Sequence, residues 1–278
     1  MTRIVRTRSA LTTARQELTG TVAVVMTMGS LHAGHLALVE HARAAADHVV
    51  LTDFVNPLQF GPGEDFERYP RDLDADVALV DGLVDLVFAP STEEMYPLLP
   101  PAVSVTVPEL GRVFEGAARP THFAGVATVV LKLVNLVRPD VAVFGRKDAQ
   151  QLAIIQRMVA DLDLPVRILP VPLQREESGL ARSSRNAYLG PEARERALVL
   201  SRTVRAVEHA APCAGAILAA LEDARREGEV DWDYASAVDP ATFVEIGPEY
   251  RGEVLVVMAA RVDGVRLLDT VVVESTRA

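Results

Sequence analysis

The fold class that the 278-residue sequence predicts is α/β: a doubly wound parallel sheet with a smaller C-terminal α+β unit behind it. Two observations predict it. Short β-branched runs alternate with longer helical patterns as far as Val171, and beyond Pro172 the order changes to two helices followed by three strand-like runs. The connections within the alternating part are short, as expected where crossover helices cover both faces of a parallel sheet.

Residues 21–26 read as a buried strand, followed by a glycine-containing turn and a helix from about residue 35 to 46. A second strand, 48–52, runs toward Asn56-Pro57, a turn signal. Residues 72–80 look helical, and 85–89 form a strand closed by Pro90. An apolar helix over 128–137 is stopped by Pro139, and strand 141–144 ends at Gly145. Residues 149–161 carry Leu152, Ile155, Met158 and Val159 at helical spacing, and 166–171 are strand-like. Helices over 191–210 and 214–227 precede strands at 234–238, 254–260 and 265–273. The expected domains are therefore 1–173 and 174–278, with no internal repeat.

Hydrophobic residues at 49% and charged residues at 24% match an ordinary globular protein and exclude a disordered or collagen-like chain. The lone Cys213 cannot form an internal disulfide, so a reducing, cytoplasmic setting is expected. Lys and Arg number 28 against 38 Asp and Glu, and the resulting net charge of −10 argues against a broad nucleic-acid-binding face. A local basic site is still compatible with it. No apolar run reaches the ~18 residues of a membrane span, and no apolar signal region follows Arg3, Arg6, Arg8 and Arg15. Neither nucleic acid nor membrane is an expected partner. Only Lys132 and Lys147 are lysines; a compact ammonium among arginines is worth testing for chemistry that a guanidinium cannot do.

Five segments carry polar groups at strand ends, where open parallel sheets bind ligands. Met28-Gly29-Ser30-Leu31-His32-Ala33-Gly34-His35 places two histidines at a helix start, where free N–H groups and the helix dipole suit a polyphosphate. Zinc binding and simple capping of the turn are the plain alternatives; zinc would need a third ligand. Asn56-Pro57-Leu58-Gln59 offers two uncharged donor–acceptor groups, or merely a rigid loop. Arg119 and His122, in Arg119-Pro120-Thr121-His122 before an apolar helix, could each bind an anion, although a solvated loop is the plain alternative; Lys132 within that helix reads as a snorkelling structural residue. Gly145-Arg146-Lys147-Asp148 sets Lys147 where a point charge could reach a phosphate, or where it is simply an exposed helix-start lysine paired with Asp148. The hydroxyls and guanidinium of Arg182-Ser183-Ser184-Arg185-Asn186 suit a phosphate too, and a polar loop before Pro191 accounts for them equally well. Together they point to nucleotide chemistry.

In this order the five blocks resemble the pantoate–β-alanine ligases, nucleotidyltransferase-superfamily enzymes with a His-x-Gly-His signature and a Rossmann-like catalytic domain. The resemblance covers nearly the whole chain, including Glu64-Asp65-Phe66-Glu67-Arg68-Tyr69-Pro70-Arg71 and Leu267-Leu268-Asp269. It implies that ATP and pantoate form pantoyl adenylate and pyrophosphate, after which β-alanine attacks to give pantothenate and AMP. It further implies that His32, His35, Lys147, Ser183, Ser184 and Arg185 are catalytic, and that Met28, Gly29, Gly34, Gly145 and Asp148 join them in binding ATP. Met28, Asn56, Gln59, Arg119, His122 and Gln151 would bind pantoate. Mg²⁺ is expected on the phosphates, with Asp76 near it through water. A homodimer is implied, and a lid function for the C-terminal domain. Met26, Arg146 and Arg182 depart from the family's usual proline, acidic residue and methionine, so a related ligase using a different acid or amine is the nearest alternative. A non-catalytic nucleotide-binding module is the other.

Overall fold

In the computed structural model, which describes residues 2–277, the chain packs as two compact units. The first holds the described residues up to Gly145 together with Ile154–Val171. The second holds Arg146–Ala153 and the described residues from Pro172 onward.

The first unit contains six strands, β1 (Arg3–Val5), β2 (Val22–Thr27), β3 (His48–Asp53), β4 (Leu86–Phe88), β5 (Val141–Gly145) and β6 (Arg167–Val171), ordered β1-β4-β3-β2-β5-β6. Every pairing is parallel. Its helices are α1 (Arg8–Glu17), α2 (Ala33–Ala45), α3 (Leu73–Val80), the short α4 (Thr92–Met95) and α5 (Glu115–Ala118), and α6 (His122–Val137). Helix α7 (Ala149–Asp161) is divided, with residues 149–153 grouping with the second unit.

Val22, Ala23, Val24 and Val25 are all 0% exposed, so both faces of β2 are covered, which is why that strand is continuously apolar rather than alternating. Ala23 and Val25 pack with Val39 and Ala42 of α2 and Val80 of α3. Each such valine contributes roughly 1.5–3 kcal/mol of burial, and a charge at Val25 would break the sheet's centre. Arg15 of α1 donates to the carbonyls of Val137 and Arg138, satisfying the exposed end of α6. Helix α6 stops there because Arg138 turns left-handed and Pro139 follows. Pro170 is accommodated in β6 because β6 is an edge strand. Strand order reverses at β2, whose neighbours are β3 and β5. The carboxyl ends of these three strands lead into Met28, Asn56 and Gly145.

In the second unit β7 (Asp231–Val238), β8 (Gly252–Val262) and β9 (Val265–Ser275) form an antiparallel sheet in that order. Helices α8 (Pro191–Ala210) and α9 (Ala214–Glu227) share a core with it built on Leu200, Ile217, Leu221 and Met258. The predicted class, a parallel α/β sheet followed by a smaller α+β unit, is the one observed. Sequence patterns did not signal β1 or α1, placed the start of α6 at residue 128 instead of His122, and set the start of α2 at residue 35 instead of Ala33.

Candidate active site

In the first unit the histidine pair is built by helix capping. His32 is the N-cap of α2, and its Nδ1 accepts from the Gly34 N–H at 3.0 Å. His35, in the first turn, accepts the His32 N–H at its own Nδ1, 3.2 Å away. The rings lie 4.2 Å apart between centroids. A nitrogen that accepts a backbone N–H carries no proton, so each neutral imidazole holds its hydrogen on Nε2. The capping alternative and the phosphate reading therefore describe the same geometry: the cap selects the tautomer whose Nε2–H can donate to an anion at the helix N-terminus.

The turn that delivers this helix is under strain. Gly29 has φ +79° and Ser30 has φ +53°. A Cβ on Gly29 would meet Asp53 Oδ1 at 2.7 Å and Asp76 Oδ2 at 3.0 Å, so both the conformation and the space require glycine. Asp76 holds the turn by accepting the Ser30 N–H at 2.8 Å on one oxygen and the Leu31 N–H at 2.6 Å on the other. Asp53 shares a hydrogen bond with Asp76, and burial together with the neighbouring Asp76 charge pushes its carboxyl up to about 6. Asp53 also lines a cavity of about 280 Å³ with Arg6, Arg71 and Phe66.

A second cluster of the same unit joins Met28, Asn56, Gln59, Arg119 and His122. Asn56, 1% exposed, donates to Gln59 Oε1 and Gly125 O and accepts from the Leu58 N–H and the Tyr96 hydroxyl. All four of its hydrogen bonds are internal, so its amide orients Gln59, whose Nε2 donates to Met28 Sδ. Burial raises the Tyr96 hydroxyl's pKa, keeping it protonated as that donor. Gly125 permits the approach of α6: a Cβ there would lie 2.2 Å from Leu58 O. The Gln59 carbonyl takes hydrogen bonds from His122 Nδ1 at 3.0 Å and Arg119 Nη2 at 3.2 Å. His122 Nε2 then accepts from Arg119 Nη1, which fixes a neutral ring. Arg119 grips Glu64 with Nε and Nη2 and lies 3.5 Å from Glu115. Burial works to raise the Glu64 carboxyl, but the Arg119 pair outweighs it and holds it below its ordinary value. The guanidinium expected to meet an anion is thus neutralised from within.

The remaining predicted residues belong to the second unit, apart from Gly145, which ends β5. Lys147 and Asp148 occupy a single 3₁₀ turn (Arg146–Asp148) and approach each other at 3.8 Å, while Gln151 is half-buried in α7. Ser183 caps another 3₁₀ turn (Ser184–Tyr188) by accepting the Arg185 N–H. Asn186 anchors that turn through Glu176 and the Ala181 carbonyl. Of the two departures in charge, Arg146 is exposed, and Arg182 braces the Arg175 carbonyl through Nε. Lys132 lies 5.8 Å above the Tyr96 ring, in keeping with a structural residue. Sequence patterns did not single out Asp53, Tyr96 or Glu115. Asp53 could have been noticed as an acid ending a buried strand; the other two act only through partners distant in sequence.

A family model described as pantoate-beta-alanine ligase matches residues 1–272. A pantothenate synthetase from Acidothermus cellulolyticus is 53% identical over 274 residues, covering 96% of this chain and 90% of that protein. The crystal structure of pantothenate synthetase from Thermus thermophilus matches with a TM-score of 0.90 at 48% identity, over 97% of this chain and 98% of that one. A pantoate-beta-alanine ligase from Francisella tularensis, crystallised with beta-gamma ATP and beta-alanine, matches with a TM-score of 0.81 at 28% identity, over 98% and 97% of the two chains. The family match over nearly the whole chain, the same fold and this extent of identity together place the chain in the pantoate–β-alanine ligase family.

Proposed function

We propose that this chain is an ATP-dependent, AMP-forming ligase that condenses pantoate with β-alanine through a pantoyl adenylate. The observation that carries the proposal is the histidine-capped N-terminus of α2, two neutral rings with Nε2–H donors at the switch point of a parallel sheet. In the first step the pantoate carboxylate attacks the α-phosphorus and pyrophosphate leaves. In the second the β-alanine amine attacks the acyl carbon, AMP leaves, and the nitrogen gives up a proton.

Both steps depend on positioning and charge neutralisation. His32 and His35 donate to triphosphate oxygens beside the backbone of Gly29 and Gly34. Lys147 supplies a point charge, and Ser183, Ser184 and Arg185 supply hydroxyls and a fork. Gly145 and Asp148 complete the nucleotide contacts. Gln59 and Gln151 orient pantoate, with Met28 beside Gln59 and with Asn56, Arg119 and His122 holding Gln59 in place. Among the described residues no group of three or more His, Cys, Asp or Glu could hold a metal, and both Asp76 oxygens accept backbone N–H groups. The donor set does not suit a resident ion, so Mg²⁺ would arrive on the triphosphate, with Asp76 acting only through water. The enzyme is proposed to work in the cytoplasm as a homodimer; the exposed Leu98, Leu99 and Val103 supply apolar surface for such an association. Light scattering tests the dimer.

ATP–pyrophosphate exchange dependent on pantoate, followed by β-alanine-dependent AMP release, tests the function. Exchange with another hydroxy acid but not with pantoate would overturn the substrate, and ATP binding with no exchange for any acid would overturn the ligase.

A further inference from the structure

Asp269, in β9 of the second unit, is 0% exposed. Its oxygens take a two-pronged grip from Arg175, at 2.7 Å from Nη1 and 2.9 Å from Nη2, and one also accepts the Thr270 N–H at 2.8 Å. Arg175 stands at the base of a tight hairpin. It bridges Ala181, its Nη1 donates to Gly179 O, and around it Glu176 N–H donates to Leu180 O and Arg182 N–H to Gln174 O. That hairpin runs directly into Ser183, Ser184 and Arg185. The next residue of β9 reaches the other phosphate-handling block: Thr270 Oγ1 donates at 3.1 Å to the carbonyl of Arg146, immediately before Lys147.

Two adjacent residues of one strand therefore hold two motifs far apart in sequence, all within a single compact unit. An ion pair with one fully buried partner is a poor device for stability alone, since apolar residues of similar volume often serve as well. Its distinctive property is direction: a planar fork on a carboxylate sets orientation and register. We infer that Asp269, Arg175 and Thr270 are positioning residues for adenylate formation, fixing the Lys147 turn and the Ser183–Arg185 turn as one preassembled set. None of the three is among the residues proposed to contact substrate. The inference rests on the proposed ligase activity.

The tests are pantoate-dependent ATP–pyrophosphate exchange, with KM for ATP and for pantoate measured separately, and calorimetric ATP binding. Thr270→Val is isosteric and removes only the hydrogen bond to Arg146. It is expected to raise the ATP KM or lower exchange kcat by about 3–10-fold, with the pantoate KM within 2-fold. The paired change Asp269→Leu with Arg175→Met replaces the ion pair by apolar volume. It is expected to retain the wild-type melting temperature while weakening ATP handling by about 10-fold or more. In a Lys147→Ala background Thr270→Val should add less than 2-fold, because its effect passes through that lysine. Correctly folded variants with wild-type ATP parameters would overturn the inference, as would equal losses toward ATP and pantoate or a Thr270→Val effect undiminished in the Lys147→Ala background. A wild-type chain with no exchange at all overturns the ligase reading and takes this inference with it.

Discussion

Asp53→Asn isolates the carboxyl pair beneath the histidine turn. Burial and the Asp76 charge lift the Asp53 carboxyl from 3.8 to about 6. At ~1.36 kcal/mol for each tenfold change in proton affinity, that displacement corresponds to ~3 kcal/mol. Asp53 is only half-buried and lines an open cavity, so solvent screening reduces the effective figure to ~1–2 kcal/mol. Because the folded-state value lies above the unfolded one, the stabilising contribution is complete below pH ~4 and is lost as pH rises through about 6. Asparagine cannot ionise, and its amide can still donate to Asp76. In metal-free buffer, the melting temperature of Asp53→Asn relative to wild type should therefore be higher at pH 8 than at pH 5, by about 1–3 °C, since roughly half of the loss is already complete at pH 5. Thermal unfolding of both proteins followed by circular dichroism at the two pH values measures this. An unchanged or reversed difference would show that Asp53 ionises in the folded protein without penalty, refuting the account of how the turn is held.

Gly125→Ala drives a methyl to 2.2 Å from Leu58 O, and denaturant unfolding should show a loss above about 3 kcal/mol. Lys147→Ala should lower adenylate formation at least ~10²-fold in the exchange assay if its ammonium stabilises transferring-phosphate charge, and near-normal turnover would exclude that role. His32→Asn with His35→Gln substitutes a good N-cap and a good capping-box partner, so the melting temperature should stay within about 3 °C of wild type. Exchange should nonetheless fall at least ~10²-fold, because neither amide reproduces the paired imidazole donors; retained exchange would make the histidines caps and nothing more.

The sheet was legible because its central strands are short, continuously apolar runs punctuated by Gly145, Pro57 and Pro90, all signals local in sequence. β1 was not, because three residues on an edge, two of them exposed, carry no such pattern; only register against Leu86–Phe88 makes them a strand. Helix α6 was read as starting late because Gly125 suggests a loop, whereas glycine is there to let the helix approach Leu58. At the site, the histidine block could be found from a strand, a turn and a helix in succession. What could not be read was the role of charges paired at a distance. Arg175 meets Asp269 across 94 positions and Arg119 meets Glu64 across 55, and nothing local marks either partner.

Those distant pairs alter the expected electrostatics of pantoate binding. The resemblance implied that Arg119 meets pantoate, but Arg119 is paired with Glu64 and lies near Glu115, which leaves neutral hydrogen-bonding groups in the Gln59 cluster: an amide, a thioether, a carbonyl and a neutral imidazole. This suits a carboxylate that must act as nucleophile. A cation bound to it would tighten binding in the ground state and lower its nucleophilicity by the same interaction, giving affinity without rate. Neutral donors orient the hydroxy acid without drawing charge from the attacking oxygen. The positive charge is needed instead where pyrophosphate departs, and that is the role proposed for Lys147 and Arg185. On this argument Glu64 acts as more than a surface partner for Arg119. Under the proposed assignment of the Gln59 cluster to pantoate, that pairing would keep the guanidinium from capturing the substrate's carboxylate.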